Sequence, residues 1–178
     1  LQSLAFEIIA NPKTHPSGSI RAALLHKLAL ASGAHGMVGG QTMDIYSDPE
    51  EISMPTITRL QQMKTGALIT FACEAGAILG HASPAQTTAL RAYAHDLGLA
   101  FQITDDILDA EGEAKEMGKA TRKDADAGKA TFVSLMGLEK AKIHAEMLSR
   151  QAISHLSAFK ESADLLRDAA IFTVERNK

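Results

Sequence analysis

Apolar residues recur at intervals of three and four along most of the chain, which is the spacing of one face of an α-helix. After the break "HPSGS" this spacing is kept by Ile20, Leu24, Leu28 and Ala31. A polar break, "SDPEEISMP", comes next, and its Pro55 suits the first turn of a helix expected to run to about Gly80. The chain shows no run of the alternating pattern typical of half-buried strands. The pattern therefore predicts an all-α fold.

A further helix is predicted to begin at "HASPAQ". Ser83 can cap it, Pro84 takes its first position, and Gln86 completes a capping box. The apolar stripe expected along this helix consists of Leu90, Ala94, Leu97, Phe101, Thr104 and Leu108. The charged segment from Gly112 to Gly128 has little periodicity and is predicted to be a loop.

Two more helices are predicted to complete the chain. One is expected to end its apolar pattern near Phe159, and the other to start near Ser162. A glycine cluster in "GAHGMVGGQTMD", residues 33–44, interrupts the earlier helical pattern. Because glycine inside a helix costs about 1 kcal/mol relative to alanine, this cluster requires a packing or functional reason.

Composition narrows the class of protein. The 178 residues include 18 basic and 21 acidic side chains, for a formal charge of -3, which gives no electrostatic footprint for nucleic acid. The single cysteine, Cys73, excludes an internal disulfide or a cysteine-rich zinc site and fits a reducing compartment. The longest apolar stretch, Gly66 to Gly80, is broken by Glu74 and is shorter than the ~20 residues of a membrane span. We therefore expect a cytoplasmic protein without a membrane span.

The segment "FQITDDILDA" places three carboxylates inside an apolar run. At about 100° per residue, Asp105, Asp106 and Asp109 share one helical face with Gln102. Burying carboxylates without a partner is expensive, and hard oxygen ligands one turn apart suit Mg²⁺ shared with substrate phosphates. The alternative is a fraying helix end whose aspartates meet water. The ligand spacing of a calcium loop is absent.

Lysines supply two further signals. Lys64 falls on the predicted apolar face of its helix, where it either snorkels to solvent or meets an anion, and Thr65 beside it offers a hydroxyl. Lys119, Lys123 and Lys129 alternate with glycine and aspartate just after the aspartate helix. Such a loop can close over phosphates, although an ordinary solvated loop has the same composition. Together the carboxylates and lysines are what a magnesium-diphosphate site needs.

Four motifs in order resemble the trans-polyprenyl diphosphate synthases. They are "GMVGGQTMDI" at 36–45, "KTGAL" at 64–68, "GLAFQITDDILD" at 98–109 and "GKATRKDADAGKATF" at 118–132. The likeness extends to the closing "ERNK" and is strongest to the bacterial members that make farnesyl diphosphate. It implies an all-α isoprenoid-synthase bundle around a central cavity, and a homodimer.

The same resemblance implies roles for individual residues. Asp105, Asp106 and Asp109 match the second aspartate-rich motif, which holds Mg²⁺, with Asp105 the first choice for direct ligation. The other matches fall into three groups. Lys64 and Lys119 match lysines that contact the allylic diphosphate, and Lys129 matches a basic position in the closing loop. Thr65 and Gln102 match residues near the reacting carbon, and Gln41 and Asp44 match a pair that supports the site.

The implied activity is a Mg²⁺-dependent condensation of dimethylallyl or geranyl diphosphate with isopentenyl diphosphate to give farnesyl diphosphate. The first aspartate-rich motif of the family has no counterpart, since no second DDxxD or DDxxxxD occurs. We therefore expect residues 1–178 to be the C-terminal part of a single polyprenyl synthetase domain, without its N-terminal helices and nearly inactive alone. The determinants of product length lie outside such a part.

Alternatives come from different classes. A non-catalytic subunit that modulates a full-length synthase would not need the aspartates or lysines. A geranylgeranyl diphosphate synthase differs only in product length. A terpene cyclase also uses DDxxD and Mg²⁺ but leaves "KTGAL" and the GK loop unexplained.

Overall fold

In a computed structural model, residues 1–48, 51–117 and 130–176 are described, with the backbone alone for 113–117. These residues form helices joined by short connections, and no strand occurs among them, which confirms the all-α prediction. The helices are α1 Gln2–Ala10, α2 Gly18–Ser32, α3 Met37–Tyr46, α4 Met54–Gln61, α5 Ala67–Leu79, α6 Pro84–Met117, α7 Phe132–Met136, α8 Leu138–His155 and α9 Asp164–Glu175. A π-helical turn, Gln62–Gly66, joins α4 to α5, and a 3₁₀ segment, Ser157–Ala163, precedes α9.

The predicted start of α6 is confirmed in detail. The Ser83 N–H donates to Gln86 Oε1 at 2.9 Å, and the Gln86 N–H donates to Ser83 Oγ at 3.3 Å. These reciprocal bonds satisfy two backbone donors that the first turn of a helix leaves unpaired. The residue that follows the cap, Pro84, is the first residue of α6. The capping box therefore fixes where the central helix begins.

Helix α6 is the centre of the fold and packs against α4, α5, α7, α8 and α9. Tyr93, Ala94 and Ile103 are among its fully buried side chains, each with 0% exposure. The predicted stripe was therefore partly wrong, because Leu90, Leu97, Phe101 and Leu108 are only half-buried. The reason is that a helix covered on several sides buries more than one face. The core also takes in Ala100 at 0% and Leu99 and Ile107 at 7%.

Two other boundaries differ from the predictions. Helix α6 continues through residues 112–117, where the sequence "GEAKEM" is rich in good helix formers, so the prediction of a loop was wrong for these residues. The rest of that predicted loop, 118–128, lies outside the described residues. The last helix begins at Asp164 rather than near Ser162, because the 3₁₀ segment occupies the preceding residues.

A buried carboxylate ties three helices together. Glu74 on α5 is 7% exposed and accepts a hydrogen bond at 2.7 Å from Lys27 Nζ on α2 and another at 2.7 Å from Arg91 Nε on α6. Burial raises the pKa of the Glu74 carboxyl, but the hydrogen bonds from Lys27 and Arg91 outweigh burial and hold it below its ordinary value. The ionised form is therefore the one that the fold stabilises.

None of the helices in the described ranges combines the length and the apolarity needed to cross a membrane.

Candidate active site

The acidic half of α6 lies close to the π-helical turn because two glycines face each other there. A Cβ on Gly98 of α6 would lie 3.1 Å from the Gly66 Cα, closer than side-chain carbons ordinarily pack. This approach brings Thr65, in the turn, next to Gln102, on α6. The Thr65 Oγ1 donates to Gln102 Oε1 at 3.2 Å. The two residues predicted to lie near the reacting carbon are thus in direct contact.

The π-helical turn also determines where Lys64 points. A π turn holds an extra residue, so side chains before and after it lose the α-helical phase assumed from the sequence. The Lys64 Nζ lies 2.8 Å from Asp44 Oδ2 on α3, and the two side chains are 30% and 16% exposed. Lys64 therefore meets an anion, which was one of the two outcomes expected for it.

Helix α3 can supply Asp44 because it lacks a side chain where it crosses the turn. A Cβ on Gly40 would lie 2.3 Å from the Lys64 backbone nitrogen and 2.7 Å from its Cα. This close approach is the packing reason that the glycine cluster required. Gln41 follows Gly40 and lies one helical turn before Asp44, so Gln41 and Asp44 share a face of α3.

A hydrogen-bonded chain continues from Gln102 along α6. The Gln102 Nε2 donates to Asp106 Oδ1 at 3.4 Å, and the Phe132 N–H donates to Asp106 Oδ2 at 2.8 Å. Phe132 is the first residue of α7 and is fully buried. Asp106 thus receives a backbone N–H at a helix start, where such donors have no partner within the helix. One oxygen of Asp106 therefore connects α6 with α7, and the other accepts from Gln102 within α6.

The charge on Asp106 is costly in this setting. Burial raises the pKa of the Asp106 carboxyl, and the charges of Asp105 and Asp109 raise it further, while the hydrogen bonds from Phe132 and Gln102 act in the opposite direction. The net pKa lies above its ordinary value. A nearby cation would relieve the repulsion among the three carboxylates.

Asp105 is held differently. Its Oδ1 accepts a charged hydrogen bond from Nη2 of Arg176, a residue that follows α9. Asp109, one turn further along α6, is exposed. Across the described part of the chain, no group of three or more histidine, cysteine, aspartate or glutamate side chains is arranged to hold a metal ion by itself.

Several of the site residues predicted from the sequence are in contact with one another, and two of them cannot be located in the structure. The structure brings Lys64 to Asp44, Thr65 to Gln102, and Gln102 to Asp106. Lys119 and Lys129 lie outside the described residues. The predictions missed Phe132 and Arg176, since no spacing in the sequence indicates a contact between Asp105 and a residue 71 positions later.

This arrangement offers a defined set of chemical groups. An ammonium group, a hydroxyl, an amide and four carboxylates lie on α3, the π-helical turn and α6. The ammonium can bind an anion, and the hydroxyl and amide oxygens can face a developing positive charge. None of these groups is a nucleophile activated by an adjacent base. The chemistry favoured by the site is therefore the binding of charged groups rather than covalent catalysis.

Comparisons with known proteins show which proteins this chain resembles. The chain is 36% identical over 183 residues to the farnesyl diphosphate synthase of Escherichia coli, a match that covers 100% of the chain and 61% of the relative. It is 39% identical over 165 residues to the chloroplastic geranylgeranyl pyrophosphate synthase 11 of Arabidopsis thaliana, covering 89% of the chain and 46% of that relative. The chain thus spans less than two thirds of the length of these relatives.

Solved structures give the same fold. An apo FPP/GFPP synthase from Zymomonas mobilis matches with 49% identity and a TM-score of 0.84, over 97% of this chain and 57% of that one. The geranyltransferase of Helicobacter pylori, in complex with magnesium and isoprenyl diphosphate, matches with 29% identity and a TM-score of 0.76, over 97% and 56%. The model of the polyprenyl synthetase family matches residues 1–167. The chain, with its helical fold, therefore belongs to the polyprenyl synthetase family.

Proposed function

We propose that the protein is a Mg²⁺-dependent prenyltransferase that condenses an allylic diphosphate with isopentenyl diphosphate, and that its product is farnesyl diphosphate. The observation that carries the proposal is the assembly around α6: the Lys64–Asp44 pair beside the chain formed by Thr65, Gln102 and Asp106. The E. coli relative has this activity by name, and the H. pylori neighbour was solved with magnesium and an isoprenyl diphosphate.

The residues present fit magnesium as a shared ion. Mg²⁺ is usually bound through one or two protein carboxylates, with substrate phosphates and waters completing the octahedron. Asp105 and Asp109, one turn apart on α6, supply such carboxylates, and mutual repulsion on this face favours a cation there. The absence of a self-sufficient cluster of three ligands in the described ranges is consistent with a site that substrate completes. When bound, the ion would neutralise the diphosphate and make it a better leaving group.

The remaining steps rest on side chains of this chain. The Lys64 ammonium binds the allylic diphosphate, and Asp44 holds the lysine in place before substrate arrives. As the allylic carbon–oxygen bond breaks, the oxygens of Thr65 and Gln102 face the positive charge that develops on carbon. The double bond of isopentenyl diphosphate then attacks that carbon, a carbon–carbon bond forms, and the released diphosphate takes the proton. No nucleophilic side chain is needed.

The test is a condensation assay on the full protein that carries this sequence. Geranyl diphosphate, labelled isopentenyl diphosphate and Mg²⁺ are supplied, and the prenyl product is identified by its chain length. We expect a fifteen-carbon product, and Lys64→Ala should lower kcat/KM by about a hundredfold, because a charged contact to the leaving group is lost. Lys140→Ala is the matched control, since Lys140 is exposed on α8. Equal activity of the two variants would remove Lys64 from the site.

A second candidate product is geranylgeranyl diphosphate. It is favoured by the similarity to the Arabidopsis geranylgeranyl pyrophosphate synthases, which is comparable with the similarity to the farnesyl diphosphate synthases. The same assay, given farnesyl diphosphate as the starter, separates the two candidates. A twenty-carbon product formed at a rate comparable with that from geranyl diphosphate would establish the longer product.

A further inference from the structure

Arg176 lies directly after α9 and reaches back across the structure to α6. Its Nη2 donates both to Asp105 Oδ1 and to the Phe101 carbonyl oxygen, the latter at 3.3 Å. Its Cζ stands 4.1 Å from the centroid of the Phe101 ring. The guanidinium is therefore held by an ion pair, a backbone acceptor and a cation–π contact at the same time.

This contact differs from an ordinary surface ion pair. The Arg176 side chain is 19% exposed, whereas the Arg150–Glu146 pair on α8 spans 3.8 Å with both side chains more than half exposed. The Nε of Arg176 is buried and has no hydrogen-bond partner among the described residues. Leaving that donor unsatisfied carries a cost, so the other contacts of the guanidinium must outweigh it. Arg176 is thus fixed at Asp105 rather than sampling it from solvent.

The ion pair also distinguishes Asp105 from its neighbour. Asp106 accepts its hydrogen bonds from two neutral groups, the Phe132 N–H and the Gln102 amide. Asp105 accepts from a full positive charge. A positive charge next to a carboxylate weakens its attraction for a second cation, because the two cations repel each other across the same oxygens.

We propose that Arg176 is a positioning residue that holds Asp105 and would lower its affinity for a divalent cation bound there together with diphosphate. This inference rests on the proposed function, because it assumes that Asp105 is a metal ligand. A metal ion arriving at Asp105 must share the carboxylate with Arg176 or displace it. Arg176 therefore sets how strongly the acidic face holds its metal, which matters for release of diphosphate after each turnover.

The experiment measures metal binding rather than activity. Mn²⁺ is titrated into the full protein in the presence of inorganic pyrophosphate, and free Mn²⁺ is followed by electron paramagnetic resonance. Arg176→Gln is expected to tighten Mn²⁺ binding by about fivefold to tenfold, because one neighbouring positive charge is removed. Arg150→Gln removes the same charge from the exposed face of α8 and is expected to change the affinity by less than about twofold.

Repeating the measurement in an Asp105→Asn variant tests whether the effect of Arg176 on Mn²⁺ affinity depends on Asp105. Asp105→Asn should weaken Mn²⁺ binding, and adding Arg176→Gln to it should give no further gain. An equal gain in both backgrounds would overturn the proposal, since the arginine would then act as a remote charge. Unchanged or weaker binding in Arg176→Gln alone would overturn it as well, while leaving the metal role of Asp105 intact. By contrast, a normal affinity in Asp105→Asn would refute that metal role and the proposed function with it.

Arg176→Lys is a second variant, used in case Arg176→Gln fails to fold. Circular dichroism shows whether Arg176→Gln is folded. The lysine keeps the charge at Asp105, so its Mn²⁺ affinity should stay within about twofold of the wild type. An increase for Arg176→Lys as large as that expected for Arg176→Gln would contradict a charge-based role.

Discussion

Gly40→Ala tests how the site is assembled, because Gly40 is where α3 crosses the turn that carries Lys64. The added methyl carbon would lie 2.3 Å from the Lys64 backbone nitrogen, 2.7 Å from its Cα and 2.9 Å from its Cβ. Unbonded carbons pack at about 3.5–4.0 Å, so α3 and the turn must separate by roughly 1 Å. Two of the three atoms belong to backbone and cannot rotate away.

Two opposing effects determine how much Gly40→Ala changes the free energy of unfolding. Overpacking a well-filled contact costs about 1–3 kcal/mol of unfolding free energy, and replacing a helical glycine by alanine returns about 1 kcal/mol. Gly76→Ala isolates the second effect, because an added Cβ at Gly76 on α5 would meet no atom within 4 Å. The difference between the two variants is therefore the cost of the clash, about 1–3 kcal/mol.

The assay is urea unfolding of both variants and the wild type in one buffer. We expect Gly76→Ala to be more stable than the wild type. Gly40→Ala should be less stable than Gly76→Ala by about 1–3 kcal/mol. Pyrophosphate binding should also weaken in Gly40→Ala, since the separation moves Lys64 away from Asp44. Equal stability of the two variants would refute the close crossing of α3 and the turn.

Three further predictions concern stability. The pKa of Glu74 lies below its ordinary value of 4.5, because the hydrogen bonds from Lys27 and Arg91 outweigh the effect of burial. The ionised carboxylate therefore stabilises the fold above the pKa of the unfolded chain, and this stabilisation is lost as the pH falls through the pKa of the folded protein. Urea unfolding between about pH 3 and 6 should therefore show a steeper acid loss for the wild type than for Glu74→Gln. Burial raises the pKa of Tyr93 from 10.0 to about 12, so unfolding free energy should fall as pH rises through this range, a loss that Tyr93→Phe should remove. Asp96 on α6 is 8% exposed and lies 3.0 Å from His155 on α8. A double-mutant cycle of Asp96→Asn and His155→Asn should therefore give a coupling free energy of about 0.5–2 kcal/mol. A coupling of zero would mean that the pair does not stabilise the α6–α8 contact.

Local signals in the sequence predicted the helices well. The capping box at Ser83 and Gln86 depends only on neighbouring residues, and it forms as expected. The apolar stripe of α6 was partly wrong for a physical reason: a repeat of three and four indicates one buried face, and α6 is covered on several. Asp96 is buried on the same helix but is charged, so the periodic pattern of apolar residues could not indicate its burial.

The site could be predicted only in part. The residues on one helical face of α6 follow from spacing, but their partners do not. The π-helical turn shifts Lys64 relative to the residues before it, and no spacing rule indicates such a turn. The Asp105–Arg176 pair joins residues far apart in sequence, and only packing of the segment after α9 against α6 brings them together. Long-range pairing of this kind depends on tertiary structure.

The most direct test of the central claim is a crystal of the full protein soaked with Mn²⁺ and inorganic pyrophosphate, with the metal located by its anomalous signal. We expect a Mn²⁺ peak at about 2.2 Å from an oxygen of Asp105, and a diphosphate oxygen within about 3 Å of Lys64 Nζ. A bound diphosphate with Asp105 and Asp109 hydrated and without any metal peak beside them would contradict the account.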